Sequence, residues 1–347
     1  MKKRILVVDD DLSILRQIAA QLSENYEVSL AKSGALAFQI CIKEKPDLIL
    51  LDIEMPDMDG FEVLSRIKQN PFLDRIPVIF LTARHDAATE VKALELGARD
   101  FIPKPVERSI LLHRIELHLR FVSYQAQTEQ NVISLSDSIA TSFAEMIEYR
   151  DENTGGHVIR TSKYVELLGK EMIIRGFFPD ELNNAELQLM MRASPLHDIG
   201  KIAISDRILL KAGRLDDVEF TAMKRHAQIG MAIIERMYQR MPAQHYLRYG
   251  CLIAGSHHER YDGKGYPRGI SGNDIPLCGR IMAVADVYDA LTENRVYRKG
   301  MGHSKARAVI LENRGTQFDP AVVDTFRDVE EQILQIACTY GFGAETA

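Results

Sequence analysis

The sequence is poor in cysteine, in long apolar runs and in excess charge. Its four cysteines include no CxxC pair, which argues against both a zinc ribbon and a disulfide framework. No apolar run reaches the roughly 18 residues of a membrane helix, and MKKRILVVDD reaches two acids before a signal segment could form. The net charge of -6 argues against bulk nucleic acid as a partner. We therefore expect a cytoplasmic protein without membrane insertion.

The chain is also too long for one small domain. At roughly 150 residues per domain, 347 residues predict two domains. The hydrophobic share of 46% and the charged share of 27% are typical of a folded globular protein. No internal repeat or low-complexity tract interrupts this pattern.

The first 120 residues predict a doubly wound α/β domain of five βα units. Short apolar runs alternate there with amphipathic stretches, and the runs cover residues 4–8, 26–31, 47–51, 77–82 and 99–102. Strands that are apolar throughout and separated by helical stretches form a parallel sheet covered on both faces. Functional side chains are then expected at the carboxyl ends of the strands.

A helical linker is predicted next, because residues 106–154 contain neither glycine nor proline. We place the linker at 121–150, as one or two long helices that lead into the second domain. Apolar residues recur there at helical spacing, which fits either a homodimer seam or packing on the domain's own sheet: Ile110, Leu117, Phe121 and Tyr124.

The second domain, over residues 134–340, is predicted to be all α-helical. Its stretches follow a period of about 3.6 residues and do not alternate. Glycine and proline cluster in one loop, residues 262–272, where positive φ angles could hold backbone close to a ligand.

Polar residues stand at the ends of four predicted strands: Asp9 and Asp10, Asp52, Thr82, and Lys104. Three converging carboxylates repel one another unless a hard dication lies among them, and oxygen ligands suit Mg²⁺. A carboxylate beside Mg²⁺ can act as a nucleophile toward phosphorus. A helix N-cap explains a single acid, such as Asp11, but not the joint pattern.

The segments ILVVDDD, LLDIEMPDMDG, FLTA and DFIPKP resemble the receiver domain of two-component response regulators, over residues 1–120. The resemblance implies that Asp10 and Asp52 bind Mg²⁺ with help from Asp9, and that Asp52 accepts a phosphoryl group from a histidine kinase. It also implies a set of receiver switch residues: Thr82, Lys104 and Phe101.

A second constellation combines imidazoles and carboxylates: His157, His197, Asp198, His226, His257, His258 and Asp286. Mixed ligands of this kind fit iron, manganese, nickel, zinc or cobalt better than calcium. Seven side chains exceed the need of one tetrahedral ion, so we expect two ions bridged by a carboxylate. Such a pair can activate water for an in-line displacement at phosphorus.

The segments YRDENTGGH, HDIGK, HHERYDGKGYP, ADVYDALT and GTQFDP resemble the HD-GYP family, a branch of the HD phosphohydrolases whose members hydrolyse cyclic di-GMP. The resemblance implies an all-α HD-type domain in which all seven side chains bind metal and Asp198 is the bridge. Lys201 is expected to reach a metal-bound water or a phosphate oxygen, unless it is an exposed helix lysine.

The same resemblance implies that Arg295 and Arg298 contact substrate phosphates, although Val296 stands where the family usually has proline. Tyr266 and Asp289 are expected either to contact guanine or ribose or to support the loop and the metal ligands. Some members hold a third metal with a glutamate where this chain has Asn153. We therefore expect a binuclear centre.

The sequence thus predicts a response regulator whose phosphorylation controls hydrolysis of cyclic di-GMP to pGpG, GMP or both. Its expected cofactors are two transition-metal ions, iron or manganese first and nickel, zinc or cobalt as alternatives, with Mg²⁺ in the receiver. Its expected partners are a histidine kinase, cyclic di-GMP and a second copy of the chain. The alternatives are a catalytically idle sensing or docking module and a phosphodiesterase for another cyclic dinucleotide, such as cyclic GMP-AMP.

Overall fold

A computed structural model describes residues 2–56, 58–82, 87–150, 156–211, 213–293 and 300–340, with the backbone alone for 87, 88 and 90. The chain divides into two compact units, residues 1–132 and 133–347. Within the described ranges, every helix is too short or too polar to cross a lipid bilayer.

Five parallel strands form the sheet of the first unit, which confirms the predicted α/β fold: β1 (Arg4–Val8), β2 (Glu27–Ala31), β3 (Leu48–Asp52), β4 (Val78–Thr82) and β5 (Asp100–Pro103). Their spatial order is β2-β1-β3-β4-β5. The winding reverses between β1 and β3, so the carboxyl ends of these two strands border the crevice where such sheets bind ligands.

Helices cover both faces of this sheet: α1 (Leu12–Leu22), α2 (Gly34–Glu44), α3 (Gly60–Lys68), α4 (Ala87–Glu95) and α5 (Arg108–Arg150). Alternate side chains of each strand point to opposite faces, so Leu6 joins the core of α2 and α3 while Ile5 joins that of α1 and α5. Asp11 caps α1 by accepting a hydrogen bond from the Ser13 amide.

Helix α5 is a single helix of 43 residues. Its first turns pack on the sheet through Leu111 and Ile115, while Arg114 and His118 contact Asp100 at the start of β5. The predicted apolar stripe lies elsewhere on the helix, and its members are 42–75% exposed: Ile110, Leu117, Phe121 and Tyr124. Packing on the domain's own sheet therefore does not explain the stripe.

The second unit is mostly helical, as predicted, and forms no β-strand among the residues that the structure describes. After the end of α5 it contains α6 (His157–Ile174), α7 (Asn184–Ala193), α8 (Asp206–Leu209), α9 (Asp217–Arg240), α10 (Tyr246–Ala254), α11 (Leu277–Thr292), α12 (His303–Glu312), α13 (Pro320–Asp328) and α14 (Glu330–Tyr340). Short 3-10 helices span Ser194–Leu196, Ile199–Ala203 and Gly272–Asp274. Residues 277–285 of α11 are all buried, so this helix runs through the core.

One glycine sets the distance between two segments that carry ligand candidates. A Cβ on Gly200 would lie 2.0 Å from the carbonyl oxygen of His226 and 2.5 Å from the amide nitrogen of Gly230. Only a residue without a side chain lets the segment after Asp198 approach α9 this closely.

Replacing this glycine with alanine (Gly200→Ala) is expected to lower the free energy of unfolding by about 1–3 kcal/mol, because backbone must move to admit the methyl group. Denaturant unfolding followed by far-UV circular dichroism measures the change. Gly302→Ala is the control, since a Cβ there meets open space and the loss at this helix N-cap stays below about 1 kcal/mol. Equal unfolding midpoints for wild type and Gly200→Ala would contradict the close approach.

Candidate functional site

Four side chains of the first unit meet at the carboxyl edge of its sheet. Asp9 follows β1, Asp52 ends β3, Thr82 ends β4 and Lys104 follows β5. The Lys104 Nζ atom lies 2.7 Å from Asp9 Oδ2 and 3.0 Å from Asp52 Oδ1. Asp9, Asp52 and Thr82 are buried, whereas Asp10 beside them is exposed. The four strand ends therefore converge as the parallel topology predicts.

The carboxylates at this edge suit a hard cation. One oxygen from each of Asp9, Asp10 and Asp52 lies within 4.8 Å of the others. Burial raises the pKa of the Asp52 carboxyl, and the Lys104 ammonium offsets only part of that rise. Phe101, on β5, is half-buried against the core below α2 and α3. This arrangement can hold Mg²⁺ and present Asp52 to an incoming phosphorus atom.

Five segments of the second unit bring the seven predicted metal ligands together: His157 at the start of α6, His197 and Asp198 between two 3-10 helices, His226 within α9, His257 and His258 after α10, and Asp286 on α11. Six of the seven supply ligand atoms to two groups, within each of which the atoms lie no more than 4.8 Å apart, and Asp286 stands outside both. One contains Asp198, His226, His257 and His258, and the other contains Glu148, His157, His197 and Asp198. Asp198 is common to both.

The Asp198 carboxylate lies among three imidazoles. Its Oδ1 is 3.2 Å from the Nε2 of His226 and 3.5 Å from that of His257, while its Oδ2 is 3.5 Å from that of His197. The Asp286 Oδ1 atom is 3.6 Å from the His157 Nε2 and 3.9 Å from the His197 Nε2. Both oxygens of Asp198 thus face ring nitrogens, as a bridging carboxylate requires.

Hydrogen bonds on the far side of the rings orient these nitrogens. The Nδ1 atoms of His197, His226 and His257 lie 2.9, 2.7 and 3.0 Å from the carbonyl oxygens of Ser194, Met223 and Ile253. A ring nitrogen facing a carbonyl oxygen must carry the proton, which leaves Nε2 with a lone pair. Metal-binding histidines are held in this way.

Several of the inward-facing atoms have no hydrogen-bond partner among the described residues. They are the Asp198 Oδ1 and the Nε2 atoms of His226 and His257, all of them buried. Leaving buried polar atoms unpaired is costly unless another group satisfies them. Lone pairs of imidazole and carboxylate that point toward a common centre fit a pair of first-row transition-metal ions.

Asp289 is fully buried beneath this cluster. Its Oδ2 accepts from the His157 Nδ1 at 2.8 Å, and the Arg160 guanidinium donates to both of its oxygens. Burial opposes ionisation, but Arg160 and His157 hold the pKa of the Asp289 carboxyl below its usual value. Of the two roles expected for Asp289, its position fits support of a metal ligand and not contact with substrate.

The cluster concentrates negative charge where cations would lie. Burial alone would lower the pKa of His157, but the carboxylates of Glu148, Asp289 and Asp286 raise it to about 10. Burial lowers the pKa of His197 to about 4. Burial also opposes ionisation of Asp198, yet Lys201 and the imidazoles hold its pKa well below the usual range. The position next to His157 therefore strongly favours positive charge.

Lys201 lies against the predicted bridge. Its Nζ atom is 2.8 Å from Asp198 Oδ2, and its side chain is only 14% exposed. The alternative of an exposed helix lysine therefore does not describe it. Sequence reasoning does not find Glu148, because a glutamate near the end of a long helix has the pattern of a solvated residue. Burial of Ala144, one turn earlier, and of the adjacent Ile147 marks this face of the helix as inward.

Two cavities border the cluster, and both are lined in part by His258 and Tyr266. The smaller, of about 240 Å³, is lined in part by Phe220, Lys224 and Gln317. The larger, of about 400 Å³, also touches Asp198 and Asp286 and is lined by two lysines, Lys201 and Lys211. Both the metal ligands and these cations are therefore within reach of a ligand that fills the cavities.

Lys224 and Phe220 are further residues that sequence reasoning misses, because they lie on an ordinary amphipathic helix, α9. The Lys224 ammonium is 4.5 Å from the centre of the Phe220 ring and 5.5 Å from that of Tyr266. The Tyr266 ring in turn lies 4.7 Å from the His258 ring at a 31° tilt. Aromatic faces and a cation thus line the small cavity.

The side chain of Glu259 holds the loop that carries Tyr266. Glu259 accepts hydrogen bonds from the amides of Arg268 and Gly269 at 2.7 and 3.1 Å. Gly269 has a φ of 67°, in the region that favours glycine, as predicted for this loop. Four residues that the sequence analysis singles out lie outside the described residues: Asn153, Arg295, Val296 and Arg298.

Comparison with known proteins agrees with both units. The response regulator receiver domain family matches residues 5–116, and the HD domain family matches residues 142–322. A protein of Vibrio cholerae named "Probable cyclic di-GMP phosphodiesterase" is 39% identical over 96% of this chain and 79% of its own length. The "Cyclic di-GMP phosphodiesterase response regulator RpfG" of Xanthomonas campestris is 35% identical over 96% of this chain and 89% of its own length.

A third relative differs in the substrate that its name gives. The "3'3'-cGAMP-specific phosphodiesterase 2" of Vibrio cholerae is 35% identical over 58% of this chain and 36% of its own length. Both units of the fold match these families, and two relatives align over 96% of the chain. The chain therefore belongs to the response regulators that join an N-terminal receiver domain to a C-terminal HD-GYP domain.

Proposed function

We propose that this protein is a response regulator in which phosphorylation of Asp52 controls the hydrolysis of cyclic di-GMP at a binuclear metal centre. The products would be pGpG, GMP or both. The observation that carries the proposal is the pair of ligand groups that share Asp198. The names of the two near full-length relatives support cyclic di-GMP as the substrate.

The donor set indicates which residues would hold each ion. His157, His197 and Asp286 would hold one ion, a second group would hold the other, and Asp198 would bridge them; the second group is His226, His257 and His258. Imidazole with carboxylate fits iron or manganese first, and nickel, zinc or cobalt as alternatives. Two such ions act as Lewis acids toward a phosphodiester and make water a stronger nucleophile.

Lys201 would act on the same phosphate. It lines the larger cavity, and its ammonium group contacts the Oδ2 atom of Asp198. An ammonium group there would donate hydrogen bonds to a phosphate oxygen or to the attacking water. Arg295 and Arg298 would contact the phosphates of the substrate, as the family resemblance implies.

The two cavities suit the two guanosine halves of a cyclic dinucleotide. In the smaller one, a purine could stack on Phe220 or Tyr266, and the Lys224 ammonium could donate to the O6 and N7 acceptors of guanine. Tyr266 borders both cavities, so it would contact either half of the substrate.

In the receiver, Asp9, Asp10 and Asp52 would hold Mg²⁺ while Asp52 takes the phosphoryl group from a histidine kinase. Phosphorylation of Asp52 would convert the carboxylate that now pairs with Lys104 into an acyl phosphate. Lys104 and Thr82 would then bind its oxygens, and Phe101 would respond as the switch residue.

We also propose that the protein forms a homodimer along α5. The helix exposes apolar side chains at coiled-coil spacings of 7, 4 and 3 residues: Ile110, Leu117, Phe121 and Tyr124. A second copy of the same helix would cover this stripe.

A second candidate is a phosphodiesterase for cyclic GMP-AMP, which the name of the third relative favours. A catalytically idle module is the remaining alternative. The complete ligand set, with its buried unpaired atoms, argues against an idle module.

The phosphoacceptor is tested by Asp52→Asn, which should abolish labelling by acetyl phosphate because the amide is not a nucleophile toward phosphorus. Metal content should stay unchanged, since none of the proposed metal ligands of the second unit lies in the receiver. Asp11→Asn is the control, because asparagine caps α1 as well as aspartate does and labelling should persist. Undiminished labelling of Asp52→Asn would refute the receiver chemistry.

The bridge is tested by comparing Asp198→Ala with Arg295→Ala. Asp198→Ala should lose metal and cyclic di-GMP hydrolysis together, because both ions share this carboxylate. Arg295→Ala should keep its metal and lose kcat/KM by roughly 10- to 150-fold, which is about 1.5–3 kcal/mol for one charged hydrogen bond. Metal analysis and product chromatography measure both effects. Wild-type hydrolysis by Asp198→Ala would place the active site elsewhere.

The purine contact is tested by Lys224→Met, which should keep the metal and lower kcat/KM for cyclic di-GMP by about 10-fold or more, since a charged donor is lost. Lys305→Met, at an exposed position on α12, is the control and should match the wild type. The same assays with cyclic GMP-AMP compare the two candidate substrates. A wild type that prefers cyclic GMP-AMP would favour the second candidate, and an unchanged Lys224→Met would remove the proposed guanine contact.

A further inference from the structure

Glu148 lies inside the second unit although it belongs to the long helix α5. Its side chain is 2% exposed, and Ala144 and Ile147 on the same face of the helix are also buried. Two residues later, the Arg150 guanidinium donates to the carbonyl oxygens of Ile202 and Ile204. The end of α5 is therefore held against the segment that follows the HD pair, and this contact directs Glu148 inward.

The Glu148 carboxylate has no hydrogen-bond partner for either oxygen among the residues that the structure describes. Its Oε1 atom lies 3.2 Å from the Nε2 of His157. Buried carboxylates in proteins are normally hydrogen-bonded, paired with a cation or bound to a metal. A buried carboxylate without a hydrogen bond beside a metal-ligand candidate therefore fits a positive charge next to it, either a protonated His157 or a metal ion.

The surroundings of the His157 Nε2 atom also favour a positive charge at this point. When the ring donates through Nδ1 to Asp289, Nε2 holds a lone pair. That lone pair is 3.3 Å from the His197 Nε2, 3.2 Å from an oxygen of Glu148 and 3.6 Å from an oxygen of Asp286. Four electron-rich atoms that converge on one point repel one another unless a proton or a metal ion lies among them, and a metal ion can be shared by all four.

We propose that Glu148 is a direct ligand of the ion held by His157 and His197. This inference rests on the binuclear centre of the proposed function and adds a carboxylate that the family resemblance does not assign. It gives the two ions different surroundings. The first has two imidazoles with Glu148, Asp286 and the shared Asp198, whereas the second has three imidazoles with Asp198 alone.

The difference predicts unequal metal sites. The ion beside Glu148 has more carboxylate ligands, so it is the harder and more negatively charged site. Removing the Glu148 charge should weaken that site and leave the three-histidine site nearly unchanged. A residue that only supports the packing of α5 would instead affect both sites or neither.

The test is anaerobic equilibrium dialysis of the chelator-treated full-length chain against Mn²⁺, with metal analysis. The wild type should bind two ions per chain. Glu148→Gln should still bind one with unchanged affinity and the other about 10- to 100-fold more weakly or worse, the loss typical of a disturbed metal ligand. Glu145→Gln, on the same helix one turn earlier and only half-buried, should match the wild type.

Two identical binding curves for wild type and Glu148→Gln would overturn the proposal and leave the binuclear centre intact. A wild type that binds no Mn²⁺ or other first-row metal ion would instead remove the centre itself. A crystal structure of the Mn²⁺-loaded wild type covers the case in which Glu148→Gln does not fold. Anomalous scattering should place an ion about 2.0–2.2 Å from a Glu148 oxygen. An ion beyond hydrogen-bond distance of that oxygen would refute direct ligation.

Discussion

The second unit depends on one buried carboxylate, Asp198, placed among the Nε2 atoms of His197, His226 and His257. An isolated buried carboxylate is strongly disfavoured, so the segments that carry these rings must all be in place for the site to exist. The close backbone approach at Gly200 brings the segment after Asp198 against α9, and the buried helix α11 carries Asp286 through the core. The larger cavity borders the same carboxylate, so substrate access and metal binding are set by one arrangement of helices.

Much of the site is visible in the sequence because its residue types are unusual where they occur. A His-Asp doublet and a His-His doublet in a helical domain are hard to explain as surface residues, and the structure brings them together. Glu148 and Lys224 carry no such signal, since acidic and basic residues are ordinary on helices. Only burial of the neighbouring helix face distinguishes Glu148, and burial depends on tertiary packing.

The receiver was more predictable, because its strands are apolar throughout and the parallel topology alone brings their carboxyl ends to one edge. The packing partner of the apolar stripe on α5 could not be predicted, because a helix packed on a sheet and a helix in a coiled coil show nearly the same periodicity. The structure separates the two cases by geometry. Leu111 and Ile115 face the sheet, and the stripe lies on another face of the same helix.

The hydrogen bonds that orient the imidazoles differ in the sequence separation of the two residues that they join. His197, His226 and His257 bond to carbonyl oxygens only three or four residues earlier, so each ring is oriented once its own turn has formed. His157 instead depends on Asp289, which is 132 residues away. Within the three-histidine site, His226 and His257 are therefore oriented by their own turns, whereas His157 in the other site is oriented only when α6 and α11 pack together. The site that contains His157 thus depends on long-range packing for the orientation of one of its rings.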